Sequence, residues 1–367
     1  MSRRGENIYR RKDGRWEGRY QVGRKIDGKV KYRSIYGKSY HEVKNKLYPL
    51  KLAFASKLSH KGKCASPLYK WASIWLDSVR GTVKPSTYAN YRYKMEHYIL
   101  PQLGDLPLNE LESSHLETLV NEWRKQHHTP STIHLHFQLI KRCLGFAVKK
   151  GLLMINPCKE VLLPKVKKRK IHALSKQEQK TLEQVARLAP SNQGLPVLIG
   201  LQTGMRIGEI AALKWENIDF KAKTITIEQT YQRIPSFEVG YQKTALVHQE
   251  AKTTSSRRVV PLTKELVKKL WERKKKSEQL YVFQSGQRPC EPRLLTYYFR
   301  RLLKKAKLFH LHFHQLRHTF ATRCMERSHD IASISALLGH ASTQMTLDVY
   351  ADSMMDQRKE VIRSLED

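Results

Sequence analysis

Apolar and polar side chains alternate along the first 40 residues in the manner of short β-strands. In one run Trp16, Tyr20 and Val22 are in phase, and an Asp-Gly pair at 27 and 28 marks a tight hairpin turn before the next run. After residue 39 the apolar positions recur at helical intervals instead. We therefore predict three strands, at about 7–10, 16–22 and 30–36, and then one helix that Pro49 kinks or ends.

Residues 67 to 150 have apolar side chains at helical intervals throughout. Two sequences, Lys84-Pro85-Ser86-Thr87 and Thr129-Pro130-Ser131-Thr132, are typical of helix starts, with proline in the first turn and Ser or Thr as the cap. The spacing predicts four short helices in this part of the chain. The apolar stripe of the first helix consists of Leu68, Trp71, Ile74, Trp75 and Val79.

From residue 175 the pattern mixes helices with short strands. Residues 224–227 alternate like a strand, a second β region surrounds 240–261, and an amphipathic helix is predicted at 355–365. The fold class that follows is multidomain α+β. It consists of a small three-stranded sheet plus one helix, a four-helix domain, and a mainly helical domain with a small β-sheet.

Composition shifts divide this architecture into domains. We predict an N-terminal domain at 1–62, a helical domain at 63–163, a linker at 164–172 and a C-terminal domain at 173–367. The linker contains the sequence PKVKKRKI. Such a charge run is commonly only solvated and can mimic a nuclear-localisation patch, but between two basic domains it also suits a tether that crosses DNA phosphates.

The charge of the chain indicates its partner. The 367 residues include 68 Lys and Arg against 33 Asp and Glu, a formal net charge of +35. Nucleic acid is the first candidate partner, because phosphate neutralisation dominates such binding, and an anionic membrane surface is the second. We find no apolar run of about 18 residues that would span a bilayer, and the basic N-terminus lacks the apolar stretch of a signal peptide. We therefore expect a cytoplasmic protein that acts on DNA.

Neither the cysteines nor the histidines form a recognisable metal motif. The five cysteines are far apart and none belongs to a CxxC pair, which argues against a disulfide framework and a thiolate zinc site. The histidine-rich stretches at 134–137 and 310–314 could bind a metal in isolation, but no HExxH motif is present. We expect no metal and no cofactor.

One stretch, from His314 to Tyr350, combines basic side chains with core-like helices. His314 and Arg317 are three positions apart, so on a helix they share a face. Gly339 can end a helix just before His340. Arginine is rarely buried without a partner, and an anion is the natural partner for such a group.

Four motifs resemble those of the tyrosine recombinase, or phage integrase, family. They are TGMRIGEIAALKW at 203–215, HQLRHTF at 314–320, LLGH at 337–340 and DVY at 348–350. No single motif is specific, but the ordered set is. The three-part layout also resembles that of integrases from conjugative transposons and temperate phages, whose N-terminal domain binds arm-type DNA sites and whose helical domain binds the core site.

The resemblance assigns catalytic roles residue by residue. Lys252 resembles the lysine of the family's β-hairpin, although Lys243 is an alternative within the same long stretch. Glu209 is similar to the acidic residue that orients basic groups after the first arginine. The complete catalytic set implied by the resemblance is Arg206, Lys252, His314, Arg317, His340 and Tyr350.

The resemblance also implies a mechanism without metal or ATP. Two arginines would balance charge on a phosphodiester, since guanidinium groups bind oxyanions bidentately and stay charged. Tyr350 would attack the phosphorus and form a 3′-phosphotyrosine bond, with His314 as candidate base and Lys252 as general acid. His340 would donate a hydrogen bond to the phosphate. His318, directly after Arg317, is interpreted as a residue that packs in the core or supports the catalytic groups.

The function implied is site-specific recombination that integrates and excises a mobile element. The expected partners are double-stranded DNA at core and arm sites, three further copies of the chain in a homotetramer on DNA, an excision factor and a host DNA-bending protein. The rival functions are type IB topoisomerase-like relaxation, a non-catalytic DNA-binding regulator, and a housekeeping chromosome-dimer recombinase. Candidate DNA-contacting residues are Arg15, Arg19, Arg24, Lys84 and Arg92.

Overall fold

The computed structural model describes most of the chain and divides it into two compact units. These units are Met1–Lys167 and Lys168–Asp367. The division falls inside the segment 164–172 that the sequence indicates as a linker, while the boundaries of three domains stay a prediction. The described residues are 7–24, 30–60, 66–167, 173–236, 244–250, 257–328, 330–340 and 342–350.

The chain begins with a small antiparallel sheet covered by a helix. The strands β1 (Ile8–Arg10), β2 (Trp16–Arg24) and β3 (Val30–Gly37) lie in the order β1-β2-β3, and α1 (Tyr40–His60) packs on them. This confirms the three strands and the helix. Of the two predicted effects of Pro49, a kink or the end of the helix, the second is wrong, because α1 continues to His60. The carbonyl that Pro49 leaves without its helical donor belongs to Asn45, an exposed residue that water can reach. The buried centre of this module is Ile8, Val43 and Leu47.

A helical bundle completes the first unit. Helix α3 runs on through one π-helical turn at Met95–Ile99 into α4, so the four predicted helices are present. Their apolar faces form one core around Trp123, Phe137 and other buried side chains. The helices are α2 (Leu68–Arg80), α3 (Pro85–Lys94), α4 (Leu100–Leu103), α5 (Ser113–Lys125) and α6 (Pro130–Lys149).

Two local predictions in this bundle are wrong. Ile74 is 57% exposed, because its position lies off the stripe that Trp71, Trp75 and Leu76 bury. At the start of α3 no Ser or Thr caps the helix, since Lys84 occupies the N-cap position without a side-chain cap. At α6 the expected cap is confirmed, with the Thr129 hydroxyl accepting from the backbone N–H of Thr132.

The second unit packs helices around one central helix, α8. Its residues from 194 to 201 are all buried, and it contacts the helices that precede and follow it in the chain. The predicted helix at 355–365 lies outside the described residues. The elements are α7 (Lys176–Leu188), α8 (Ser191–Thr203), α9 (Ile207–Ala212), β4 (Ile218–Asp219), β5 (Thr224–Ile227), β6 (Gln229–Pro235), β7 (Thr244–Glu250), β8 (Arg258–Pro261), α10 (Lys264–Lys274), β9 (Gln284–Ser285), β10 (Arg288–Pro289), α11 (Pro292–Lys305), α12 (His314–Arg327), α13 (Ile331–Leu338) and α14 (Thr343–Tyr350).

The strands of this unit form small antiparallel sheets. One sheet has the order β4-β5-β8, and β6 pairs with β7 as a separate hairpin. The predicted α+β fold class is thereby confirmed. Within the part of the chain that the structure describes, none of the helices has the length and apolar character needed to cross a bilayer.

Candidate active site

A tight turn between α8 and α9 places Arg206. Gly204 ends α8 in the left-handed conformation, with φ 65°. A Cβ atom there would lie 2.6 Å from Cδ1 of Phe320 and 2.9 Å from Cδ2 of Leu338, so only glycine fits. Two residues later Arg206 is the N-cap of α9, with its side chain partly exposed. The turn therefore presents this guanidinium at the surface of the unit.

Glu209 holds Arg206 in place. The Glu209 Oε1 accepts from Nη1 of Arg206 at 2.7 Å, and Oε2 accepts from the backbone N–H of Arg206 at 2.8 Å. Burial alone would raise the pKa of Glu209, but hydrogen bonds and charge from Arg258 and Arg206 outweigh it and lower that pKa. Glu209 is therefore ionised at neutral pH, and its two hydrogen bonds to Arg206 fix the position of that side chain.

Arg317 is buried between the ends of two helices. Its Nη1 donates to the carbonyl of Gly204 at 2.9 Å and its Nη2 donates to the carbonyl of Leu338 at 2.6 Å. These carbonyls end α8 and α13, where backbone oxygens lack helical partners and carry partial negative charge. Burial and the neighbouring charge of Arg206 lower the pKa of Arg317 to about 9, so it stays charged at neutral pH.

Two histidines one turn apart occupy the start of α12. His314 is the first residue of the helix, and partial desolvation together with the charges of Arg317 and Arg206 lowers its pKa. His314 is therefore neutral at pH 7 and able to accept a proton. The ring of His318 packs edge-on against it, with centroids 4.8 Å apart. Burial lowers the pKa of His318 to about 4, which agrees with a packing role.

The chain after α13 links His340 to the helix that carries Tyr350. Gly339 adopts the left-handed conformation and ends α13, as predicted. The Nδ1 of His340 shares a 2.9 Å hydrogen bond with the hydroxyl of buried Thr346, one helical turn before Tyr350 on α14. Burial and the charges of Arg317 and Arg206 lower the pKa of His340 to about 4. The backbone of Tyr350 ends α14, and its side chain lies outside the described residues.

Four of the six predicted catalytic residues lie in one cluster, close enough for the charge of Arg206 to lower the pKa values of the other three: Arg206, His314, Arg317 and His340. Both lysine candidates, Lys252 and Lys243, lie outside the described residues. A cleft of about 450 Å³ opens beside the cluster, with Arg206 and His314 on its wall. Across the described part of the chain, no group of three or more His, Cys, Asp or Glu side chains is placed to hold a metal ion.

The predicted DNA-contacting residues belong to the first unit. Arg15 pairs with Asp13 at 2.8 Å, Arg19 pairs with Glu17 at 2.9 Å, and Arg92 pairs with Glu96 at 2.8 Å. Lys84 is the N-cap residue of α3. Arg24 ends β2, and its side chain lies outside the described residues. DNA contact by these residues stays a prediction.

One buried arginine beside the cluster was not predicted from the sequence as part of the site. Arg258, on β8, donates from Nη2 to Oε2 of Glu209 at 2.8 Å and from Nη1 to Oε1 at 3.2 Å. Its Nε donates to the carbonyl of Leu337 at 2.7 Å. The sequence contained a signal for a buried charge at this position. Side chains of β8 are alternately buried and exposed, and Arg258 and Val260 occupy the buried positions. A charged residue in such a position requires a buried partner.

Comparison with known families shows the family to which this fold belongs. Residues 161–357 match the model of the phage integrase family, and residues 68–124 match the N-terminal SAM-like domain of phage integrases. The chain belongs to the phage integrase family. The match over 161–357 contains Arg206, Arg317, His340 and Tyr350.

Relatives of this integrase-family chain are similar to it along most of their length. A tyrosine recombinase XerC-like protein of Caldanaerobacter subterraneus subsp. tengcongensis is 26% identical, over 94% of this chain and 94% of its own. The ICEBs1 integrase of Bacillus subtilis strain 168 is 23% identical, over 80% of this chain and 81% of its own.

Solved integrase structures share the fold. The Tn1549 transposon integrase, in complex with a circular intermediate DNA, superimposes with a TM-score of 0.70 at 19% identity, over 82% of this chain and 99% of its own. A lambda integrase dimer bound to a COC′ core site gives a TM-score of 0.62 at 18% identity, over 95% of this chain and 96% of its own.

Proposed function

We propose that this chain is a site-specific DNA recombinase that integrates and excises a mobile element through a 3′-phosphotyrosine intermediate on Tyr350. The observation that carries the proposal is the cluster itself. Two oriented guanidiniums, Arg206 and Arg317, share one site with two neutral histidines. The chain that follows His340 leads directly into the helix that ends at Tyr350.

The arginines stabilise the pentacoordinate phosphate. Arg206 and Arg317 donate to its non-bridging oxygens, and because both are already held by protein acceptors they need little reorganisation when DNA binds. The hydrogen bond between the Thr346 hydroxyl and Nδ1 of His340 suits the tautomer with the ring proton on Nε2, and in the proposed mechanism that proton is donated to the same phosphate. These groups replace the charge that a metal ion supplies in other phosphoryl-transfer sites, so the reaction proceeds without metal.

In the cleavage step one bond to phosphorus forms, another breaks, and one proton is transferred at each of the two oxygens. The Tyr350 oxygen forms a bond to phosphorus while its proton passes to His314, which is neutral at pH 7. The bond from phosphorus to the 5′ oxygen breaks, and Lys252 donates a proton to that oxygen. The phosphotyrosine bond conserves the energy of the phosphodiester, so a 5′ hydroxyl of another strand reverses the steps without ATP.

The layout supports DNA binding at two kinds of site. In the N-terminal sheet, Arg11 and Arg15 lie over the ring of Tyr36 at 5.6 Å each, and Arg19 lies over Tyr9 at 5.2 Å. This basic and aromatic surface suits arm-site DNA, whereas the helical bundle and the catalytic cluster suit the core site.

Assembly of four copies on paired DNA sites is the form in which strands are exchanged. The lambda integrase structure described as a tetramer bound to a Holliday junction has a TM-score of 0.61 to this chain, at 18% identity over 92% of this chain and 96% of its own. An excision factor and a host DNA-bending protein complete the expected partners.

A recombinase that serves chromosomal sites is the second candidate function. Several relatives carry the name tyrosine recombinase XerC, including one from Bacillus pumilus that is 30% identical over 62% of this chain. The basic sheet ahead of the helical bundle favours the integrase, because it adds a second DNA-binding surface. Supercoil relaxation of the type IB topoisomerase kind and a purely regulatory role lack such a supporting observation.

Covalent capture of DNA tests the proposal. Nicked duplexes from the junctions flanking the element that carries the gene are incubated with protein in EDTA and without ATP, and adducts are resolved on a denaturing gel. We expect adduct from the wild type and none from Tyr350→Phe, which still shifts the duplex on a native gel. Tyr297→Phe, at a tyrosine 55% exposed on α11, is the matched control and retains the adduct.

Two results would contradict parts of the proposal. An adduct from Tyr350→Phe would show that another side chain is the nucleophile. Loss of the wild-type adduct in EDTA would show that the reaction needs a metal ion.

A further inference from the structure

Arg258 ties three elements of the second unit together, although no catalytic role is assigned to it. Its side chain is 5% exposed. From β8 it reaches Glu209 on α9 and the carbonyl of Leu337 on α13. A buried arginine with all of these partners fixes the distances between their elements, since a guanidinium is planar and its donors are rigidly arranged.

On the α9 side, Arg258 completes the hold on Arg206. Each carboxylate oxygen of Glu209 accepts from both arginines: Oε1 from the two side chains, and Oε2 from the Arg206 backbone and the Arg258 side chain. Arg258 also helps to lower the pKa of Glu209 and thus keeps it charged. With Arg258 absent, a buried carboxylate would lose half of its partners and become free to rotate.

On the α13 side, Arg258 acts beside Arg317. Arg258 donates to the carbonyl of Leu337, and Arg317 donates to that of Leu338. These two carbonyls are consecutive at the end of α13 and directly precede the Gly339 turn that leads to His340. Two arginines from different elements therefore hold the base of the segment that presents His340.

From these contacts we propose that Arg258 is a positioning residue, which fixes Arg206 through Glu209 and His340 through the end of α13. The role rests on the proposed recombinase function. Arg258 is the first residue of β8, so its contacts also link the start of that strand to α9 and α13.

The first test separates chemistry from DNA binding. The rate of adduct formation on the nicked junction duplex is measured in single turnover at saturating protein, and the dissociation constant is measured on the same duplex. We expect Arg258→Met to form adduct about 100-fold more slowly with binding changed less than about threefold, because small displacements of aligned groups act mainly on the reaction step. Arg258→Lys keeps the positive charge but lacks the planar guanidinium with its fixed donors, so it should give an intermediate rate.

Arg257 provides a matched control one residue away. Its side chain is 70% exposed and pairs with Glu228 at the surface. Arg257→Met removes an equal charge from the same strand end and should react like the wild type. Circular dichroism melting of each variant identifies any loss of folded protein.

A double variant tests whether Arg258 acts through Glu209. If it does, the combined loss in Glu209→Gln with Arg258→Met is clearly smaller than the product of the two single losses, because both variants weaken the same hold on Arg206 and only the contact of Arg258 with the end of α13 adds a loss of its own. Independent structural damage would instead multiply the two losses. Multiplied losses, or an Arg258→Met rate equal to that of Arg257→Met, would overturn the positioning role.

A spectroscopic readout decides the role even without DNA. In protein labelled with [15N]arginine, the Nε–Hε signal of Arg206 is assigned by its loss in Arg206→Lys. This signal should shift in Arg258→Met and stay in place in Arg257→Met; an unmoved signal in Arg258→Met would overturn the proposal. A wild type that forms no adduct contradicts the recombinase function, whereas the Arg206 signal still tests the positioning role.

Discussion

At the scale of single residues, Arg317 shows why the site uses guanidinium groups. The side chain is buried and still donates to two helix-end carbonyls. Burial and the charge of Arg206 lower its pKa to about 9. A guanidinium tolerates such a shift because its ordinary pKa lies above 12, while the ammonium of lysine begins about two units lower.

We therefore predict a pH-dependent defect for Arg317→Lys. The lysine would lose its proton as the pH rises through the neutral range, since burial and neighbouring positive charge favour the uncharged form. The ratio of variant to wild-type adduct rates should be well below one at pH 7 and should fall further between pH 6 and pH 9. Single-turnover rates across this range provide the measurement, and a ratio independent of pH would show that geometry alone limits the variant.

At the scale of elements, the site lies where helices end. Arg206 begins α9, Arg317 binds the ends of α8 and α13, and His340 follows α13. Helix termini expose unpaired backbone groups, and here side chains of the cluster satisfy them. The turn at Gly204 is central to this arrangement, because its carbonyl accepts from Arg317 and its conformation aims Arg206.

Gly204→Ala should damage both stability and reaction. The alanine would adopt an unfavourable left-handed conformation and its Cβ would press on Phe320 and Leu338, at a combined cost of about 2 to 4 kcal/mol. Urea unfolding measures the loss. Gly286→Ala is the matched control, since its φ is +60° but nothing lies within 4 Å of the added Cβ, so it should cost only about 1 kcal/mol. Equal losses at the two glycines would refute the packing argument.

At the scale of the whole molecule, charge is spread over both units. The net charge of +35 suits sequence-independent attraction to DNA along the chain, while the six predicted catalytic residues all belong to the second unit. The N-terminal sheet with α1 has its own small core and belongs to the first unit, whereas the residues of the candidate active site belong to the second.

Removing residues 1–62 should therefore separate two activities. We expect the shortened protein to form adduct on a core-site duplex at a rate near that of the full chain. Its affinity for separate arm-site duplexes should fall at least tenfold, together with a weaker dependence of binding on salt concentration, because phosphate contacts are lost. Fluorescence anisotropy over a salt series provides the comparison. Unchanged recombination between complete attachment sites would refute the role of the N-terminal module.

Local pattern predicted most elements, because strand and helix periodicity arises from which face of each segment is buried. The local pattern failed at two positions, where residue type alone did not decide burial or capping. Ile74 is apolar but lies off the stripe that α2 buries, and the cap expected at α3 is absent since Lys84 occupies its position. The motifs also indicated Arg206, His314, Arg317 and His340, which the structure brings into one cluster, while the roles of all six catalytic residues stay predictions.

The sequence by itself determined the order of elements, the basic character and the family motifs, because these depend on composition and on spacing over a few residues. Only the tertiary structure decided which polar groups meet. Glu209 and Arg258 are 49 positions apart, and Gly204 and Arg317 are 113 apart. No local periodicity encodes such contacts, since they arise when helix ends and a strand pack together and buried charges must find partners.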